Sequence, residues 1–260
     1  MDEAWLRAIV ALPFGLVVGS FMTVAVHRLP RGESVVRPRS RCPSCGAPIE
    51  PRDNVPVVSW LLLRGRCRRC GETIPIRYPL LELATAGLVV LAVVRHPDLW
   101  VGALIAGLLA PMPATAAIDI AHRRIPNRLT YPALVLFPIA IVLAWLAGAP
   151  VEPLRGLAGL ALFGGVLFVV ALVSRGMGMG DVKLAAVIGL VLGAIGLRLV
   201  GVAGGAAVVL GGVGGIVALA MGRSRKDAIP FGPYLAAGAV VAGLWGEQIA
   251  AWYLGRFGLG

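Results

Sequence analysis

Gly176-Met177-Gly178-Met179-Gly180-Asp181-Val182-Lys183 follows one long apolar run, residues 154–173, and opens the next, residues 182–200. A carboxylate at the end of such a run is either solvated at a membrane edge or held by a partner. Ionisable groups there mark functional sites by default. The alternating glycines remove side-chain bulk, so another backbone can approach closely. Working outward from Asp181 therefore raises two questions: which group it faces, and what lies against the glycines.

The flanking runs set the fold class. Of 260 residues, 58% are hydrophobic and 14% charged, with a mean hydropathy of +0.86. That composition belongs to an integral membrane protein. Eight apolar spans are expected, at residues 5–26, 79–94, 100–118, 129–146, 154–173, 182–200, 201–221 and 234–254, each near the ~20 residues that cross the hydrocarbon. The division between the sixth and seventh rests only on Leu197-Arg198-Leu199. The seventh is dense in glycine, which suits close packing of membrane helices; a flexible gate is the alternative. The first span lacks a basic leader and a small-residue cleavage site, so it is read as a helix that stays.

Charge placement orients the spans. The net charge is +11, yet the basic residues are nearly all arginines in loops, which argues for lipid head groups rather than nucleic acid. Loops on the side of residues 27–78 hold 19 of the 24 Lys and Arg; the other side holds Arg7, Arg95, Arg155, Arg198 and Arg256. The positive-inside rule puts the rich side in the cytoplasm and the N-terminus outside.

With that orientation the third span descends to Asp119 and the sixth ascends from Asp181, so both aspartates lie near the cytoplasmic face. Two carboxylates at one point share a proton. One then acts as general base toward water while the other donates to a carbonyl, as in an aspartic protease. Simpler roles stand beside this: Asp181 as a helix N-cap, Asp119 in loop water offset by Arg123 and Arg124. Glu82 is read as structural, paired with an arginine, and Glu247 carries no assigned chemistry.

Cys42-Pro43-Ser44-Cys45 and Cys67-Arg68-Arg69-Cys70 are separated by 21 residues, and each pair is followed by glycine (Gly46, Gly71). The loop is cytoplasmic by the charge argument, where thiols stay reduced. A closed four-thiolate site for one structural zinc ion is the reading, with redox dithiols as the alternative. Zinc would fold a module with too few apolar residues to hold itself together.

Together these pieces resemble the bacterial prepilin peptidases, the membrane aspartic proteases with a Gly-x-Gly-Asp motif. The resemblance spans nearly the whole chain. It takes in Gly19-Ser20-Phe21, His27-Arg28-Leu29-Pro30, Ser40-Arg41-Cys42-Pro43-Ser44-Cys45, Asp53-Asn54-Val55-Pro56-Val57-Val58-Ser59-Trp60 and Gly65-Arg66-Cys67-Arg68-Arg69-Cys70. Further along it takes in Arg77-Tyr78-Pro79-Leu80-Leu81-Glu82, Ile118-Asp119, Ile125-Pro126-Asn127, Gly178-Met179-Gly180-Asp181-Val182-Lys183 and Ile229-Pro230-Phe231-Gly232-Pro233. Asn127 stands where many members carry Asp.

The resemblance implies an all-α polytopic protein of the bacterial cytoplasmic membrane. Residues 1–26 would be the first helix, 27–78 a zinc-ribbon-like cytoplasmic module, and 79–260 a seven-helix peptidase domain. It implies that Asp119 and Asp181 are catalytic, with Gly178, Gly180 and Lys183 as substrate-binding motif residues, and that Cys42, Cys45, Cys67 and Cys70 ligate zinc. Substrates would be type IV prepilins or pseudopilins, cut after a glycine at the cytoplasmic face. The new N-terminal amine would then be methylated from S-adenosylmethionine. The basic cysteine module would bind anionic lipid. A peptidase without methyltransferase activity, a proton-coupled carrier and an assembly protein are the competing readings.

Overall fold

The computed structural model describes residues 3–174, 177–222 and 230–258. Among them the chain is all-α: its only β pairing is two isolated bridges in the cysteine module, Arg41 with Pro48 and Arg66 with Thr73. Ten helices follow in order: α1 Glu3–Arg28, α2 Val58–Leu62, α3 Arg77–Arg95, α4 Leu99–Leu109, α5 Met112–His122, α6 Asn127–Leu146, α7 Pro153–Ser174, α8 Met179–Ile195, α9 Leu197–Ala220 and α10 Gly232–Arg256. Six stretches are long and apolar enough to cross a membrane: Glu3–Arg31, Arg77–Arg95, Leu99–His122, Asn127–Leu146, Pro153–Ser174 and Leu197–Ala220. The chain is a multi-pass membrane protein. α8, with 17 residues, and α10, with 25, complete the long helices.

Two expectations shift in detail. The third span is not one helix. Pro111 and Pro113, which have no N–H for a helical bond, divide it into α4 and α5. The sixth ends at Ile195 rather than residue 200. Gly196 is extended there, and Leu197–Val200 start α9, where Arg198 pairs with Glu247 of α10.

α8 is the hub. It is apolar on every side, and Leu184, Ala185, Val187, Ile188, Leu190, Val191 and Leu192 are all buried, as expected of a helix surrounded by others. Its tightest neighbour is α7, and they meet backbone to backbone. A methyl on Gly193 would sit 2.8 Å from the Cα of Gly159, and one on Gly189 would strike the Gly159 carbonyl. Gly15 and Gly19 of α1 likewise lie against Ala86 and Glu82 of α3. Between membrane helices, small residues of this kind let dispersion and packing act where no hydrophobic drive exists.

Polar contacts gather at the two ends of the bundle. At one end Arg7 donates to the carbonyl of Pro97 at 2.8 Å, and Arg95 to that of Leu244 at 2.8 Å. At the other end Arg128 of α6 donates to the carbonyl of Glu33 at 2.9 Å, tying the chain beyond α1 to the α5–α6 turn. Asp119, Asp181 and Lys183 lie at this second end.

Candidate active site

Asp119 stands near the C-terminus of α5 and is 5% exposed. It is therefore inside the protein, not in loop water. Its Oδ2 accepts the backbone N–H of Gly232 at 2.9 Å. Gly232 is the first residue of α10, and the positive end of that helix dipole faces the carboxylate. A Cβ at residue 232 would lie 2.7 Å from the same oxygen. Sequence reading assigned Gly232 no role; the signal was a glycine before a proline at a helix start, next to a span that ends in an acid.

Asp181 occupies the first turn of α8, whose N-cap is Gly178. Its own N–H reaches the Gly178 carbonyl at 3.1 Å, and its Oδ2 lies beside Gly178, 3.5 Å from where a Cβ on that residue would stand. The acid thus stands at N3 of the helix rather than at the cap. Its Oδ1 is buried and, among the described residues, without a hydrogen-bond partner. A buried carboxylate oxygen of this kind is uncommon, and a catalytic role is one of its ordinary explanations.

Asp119 and Asp181 lie within Coulombic range of each other. What sets the two segments side by side is Ile125, in the turn after α5. A Cβ on Gly180 would fall 2.9 Å from the Ile125 Cβ and 3.2 Å from its carbonyl oxygen. Gly180 is thus occupied by the protein's own backbone, whereas among the described residues only Asp181 and Gly180 come within contact range of a Cβ at Gly178. Gly176 and Ile229 lie outside the described residues.

Lys183 does not face the carboxylates. Its Nζ donates to Asn127 Oδ1 at 2.8 Å and to the Tyr131 hydroxyl at 3.0 Å, with the ring centroid 4.6 Å away. Nor does Glu82 pair with an arginine. Its Oε2 accepts the Val57 N–H at 2.7 Å.

The cysteine module is a repeat with a 25-residue offset. Cys42 N–H bonds to Ala47 O at 2.9 Å and Gly46 N–H to Cys42 O at 2.9 Å; Cys67 N–H bonds to Glu72 O at 2.8 Å and Gly71 N–H to Cys67 O at 3.0 Å. Gly46 and Gly71 have φ of 69° and 72°, the left-handed turn each knuckle requires. The halves bring all four Sγ atoms within 4.8 Å of one another, a cluster able to hold a metal ion. Backbone N–H groups of Cys70 and Arg69 pull the Cys67 thiol down to about 7. Asp53 braces the second knuckle, accepting Arg68 Nε and Nη2 at 2.7 Å each, and that bond holds its carboxyl below the usual range.

Comparison with known proteins accounts for nearly the whole chain. Residues 13–96 match the bacterial peptidase A24 N-terminal domain and residues 106–220 the type IV leader peptidase family. Similar proteins include a "Prepilin leader peptidase/N-methyltransferase" of Aeromonas hydrophila, 35% identical over 97% of this chain and 96% of its own. One from Bacillus subtilis is 35% identical over 93% and 95%, and one from Pseudomonas aeruginosa 34% identical over 92% and 91%. No solved structure matches. Two family models that divide the chain between them, and relatives matched end to end, place this protein in the type IV leader peptidase family.

Proposed function

We propose that this protein removes the leader of type IV prepilins or pseudopilins by an aspartic protease mechanism at the cytoplasmic face of the bacterial inner membrane. The observation that carries the reading is the pair Asp119 and Asp181, one held by Gly232 and the other with a buried oxygen that no described residue engages. One carboxylate holds a proton and donates it toward the scissile carbonyl oxygen. The other takes a proton from water, whose oxygen attacks the carbonyl carbon. Collapse of the tetrahedral intermediate passes a proton to the leaving amine and breaks the C–N bond. Gly178 leaves room for an extended substrate backbone, Gly180 acts through its packing on Ile125, and Lys183 braces α8 against α6.

In this reading the chain crosses the membrane eight times, α4 and α5 together forming the third crossing, with the N-terminus outside. Residues 1–26 are the first helix, 27–78 the cytoplasmic module and 79–260 the peptidase domain. Cys42, Cys45, Cys67 and Cys70 hold one structural zinc ion. The tetrahedral edge for Zn–S bonds of ~2.3 Å is about 3.8 Å, and Cys42 Sγ lies 3.8 Å from Cys70 Sγ. The basic face of the module meets anionic lipid head groups.

The relatives' names add an N-methyltransferase activity, and we propose that it methylates the new N-terminal amine with S-adenosylmethionine as co-substrate. No residue is assigned to the methyl donor. Incubating the purified protein in nanodiscs with a synthetic prepilin and labelled methyl donor reads both activities. Asp119→Asn and Asp181→Asn are each expected to lower cleavage ~100- to 10,000-fold, the usual worth of a positioned acid or base. Parent-rate cleavage by either variant refutes the mechanism. Methylation of pre-cleaved pilin is expected to persist in both.

A further inference from the structure

Val57 is a β-branched residue at φ 61°, ψ −51°. The Val58 N–H reaches back to Pro56 O at 2.6 Å, so Val57 is the centre of a γ-turn of the rare, strained hand. Strain of this kind persists only where surrounding contacts over-determine it. Here the contact is the Val57 N–H donated to Glu82 Oε2 at 2.7 Å. Glu82 is buried in α3, five residues after Arg77, so Val57 is fixed about 7.5 Å along the helix axis from the start of α3.

The turn launches α2, and α2 has two faces. Ser59 is buried, donating to Arg52 O at 2.9 Å, and the Trp60 Nε1–H reaches Ile74 O at 2.9 Å with its ring on Gly65. The other face carries Val58, Leu61 and Leu62, spaced i, i+3, i+4, which are 49%, 61% and 77% exposed. Val55 just before them, and Leu80 and Leu83 on α3, are exposed as well. Exposed Arg64 and Arg66 follow α2. An apolar face with flanking arginines, held ~5–10 Å inside the polar boundary, is the arrangement of a helix lying in the membrane interface.

We infer that residues 55–62 form a membrane-interface anchor, in which Glu82 holds the Val57 turn at headgroup depth and Val58, Leu61 and Leu62 enter the acyl-chain boundary. The partner surface is the bilayer itself. Glu82 is a positioning residue that fixes how deeply the cysteine module sits. The inference rests on the proposed membrane placement of α3, but not on the peptidase or methyltransferase chemistry.

The test uses the full chain in phosphatidylcholine nanodiscs, with the photo-crosslinker p-benzoyl-phenylalanine at residue 62, at residue 80 as a lipid-facing control, and at residue 44 on the exposed first knuckle. Mass spectrometry is expected to find acyl-chain adducts at 62 and 80, at least about fivefold above residue 44, with no need for anionic lipid. Glu82→Ala is expected to bring the yield at 62 down to that at 44 while leaving 80 unchanged. Glu82→Gln, which keeps an acceptor oxygen, is expected to preserve it. An adduct at 80 but none at 62 overturns the proposal, as does an adduct at 62 to a second copy of the chain or only in anionic bilayers. Absence at both 62 and 80 overturns the placement of α3 and the proposal with it. If Glu82→Ala fails to fold, the yield at residue 62 in the parent chain still decides.

Discussion

Gly232 donates its backbone N–H to Asp119, and its missing side chain is what allows the 2.9 Å approach. A methyl group at 232 would meet the accepting oxygen at 2.7 Å, so the carboxylate would have to swing away. Misplacing a catalytic group by about 1 Å costs on the order of 100-fold in rate. Gly232→Ala is therefore expected to cut prepilin cleavage by roughly that factor with the helical fold intact, read by cleavage rate beside circular dichroism. Unchanged cleavage would mean that Asp119 needs no such support.

Gly180→Ala is expected to lower cleavage about 10- to 100-fold by forcing the α5–α6 turn off α8 and separating the acids. The clash involves the Cβ and backbone of Ile125, not its outer carbons. Ile125→Val is therefore expected not to rescue the variant. Rescue would show that the contact lies elsewhere.

The pH–rate profile of cleavage is expected to show two apparent pKa values that belong to the acid pair as a unit. A profile with one ionisation would point to a single working carboxylate.

Metal analysis of the purified chain is expected to give one zinc per molecule. Cys42→Ser or Cys70→Ser is expected to lower zinc content and open residues 40–74 to protease, because binding and folding of such a module are one event. The helical content of the remaining chain is expected to persist. Protection from protease in metal-free protein would rule out the structural role.

Gly189→Leu is expected to destabilise the bundle by at least the ~1–3 kcal/mol of ordinary overpacking, since the added side chain meets backbone that has no rotamer to change. Thermal unfolding in detergent reads this out. A melting temperature equal to the parent's would mean that α7 and α8 separate freely.

The fold was largely legible because hydropathy and arginine placement act over whole spans, and Asp119 and Asp181 stood out as acids at span ends. Two boundaries were not legible. The break at Pro111 sits inside a run that is apolar enough as a whole to read as one span, Leu99–His122, and the α8–α9 boundary at Gly196 depends on Arg198 meeting Glu247 from a distant helix. At the candidate site, the partners of the acids were hidden for a physical reason. Gly232 acts through a backbone N–H and Ile125 through its Cβ and backbone, and neither leaves a side-chain signature. Glu82 is structural as expected, but its partner is a backbone amide, at Val57, rather than an arginine.

The crossing of α7 and α8 at Gly159, Gly189 and Gly193 leaves no side chains between the two backbones to act as a bearing. Helices in such contact can neither slide nor roll without separating. Asp181, at the head of α8, is therefore mounted on the stator of the machine. Asp119 is on the short helix α5, cut free of α4 at Pro111 and held from the far side by the start of α10. Under the proposed function, a pilin segment would reach the acids by movement of α5 and the start of α10 rather than of α8.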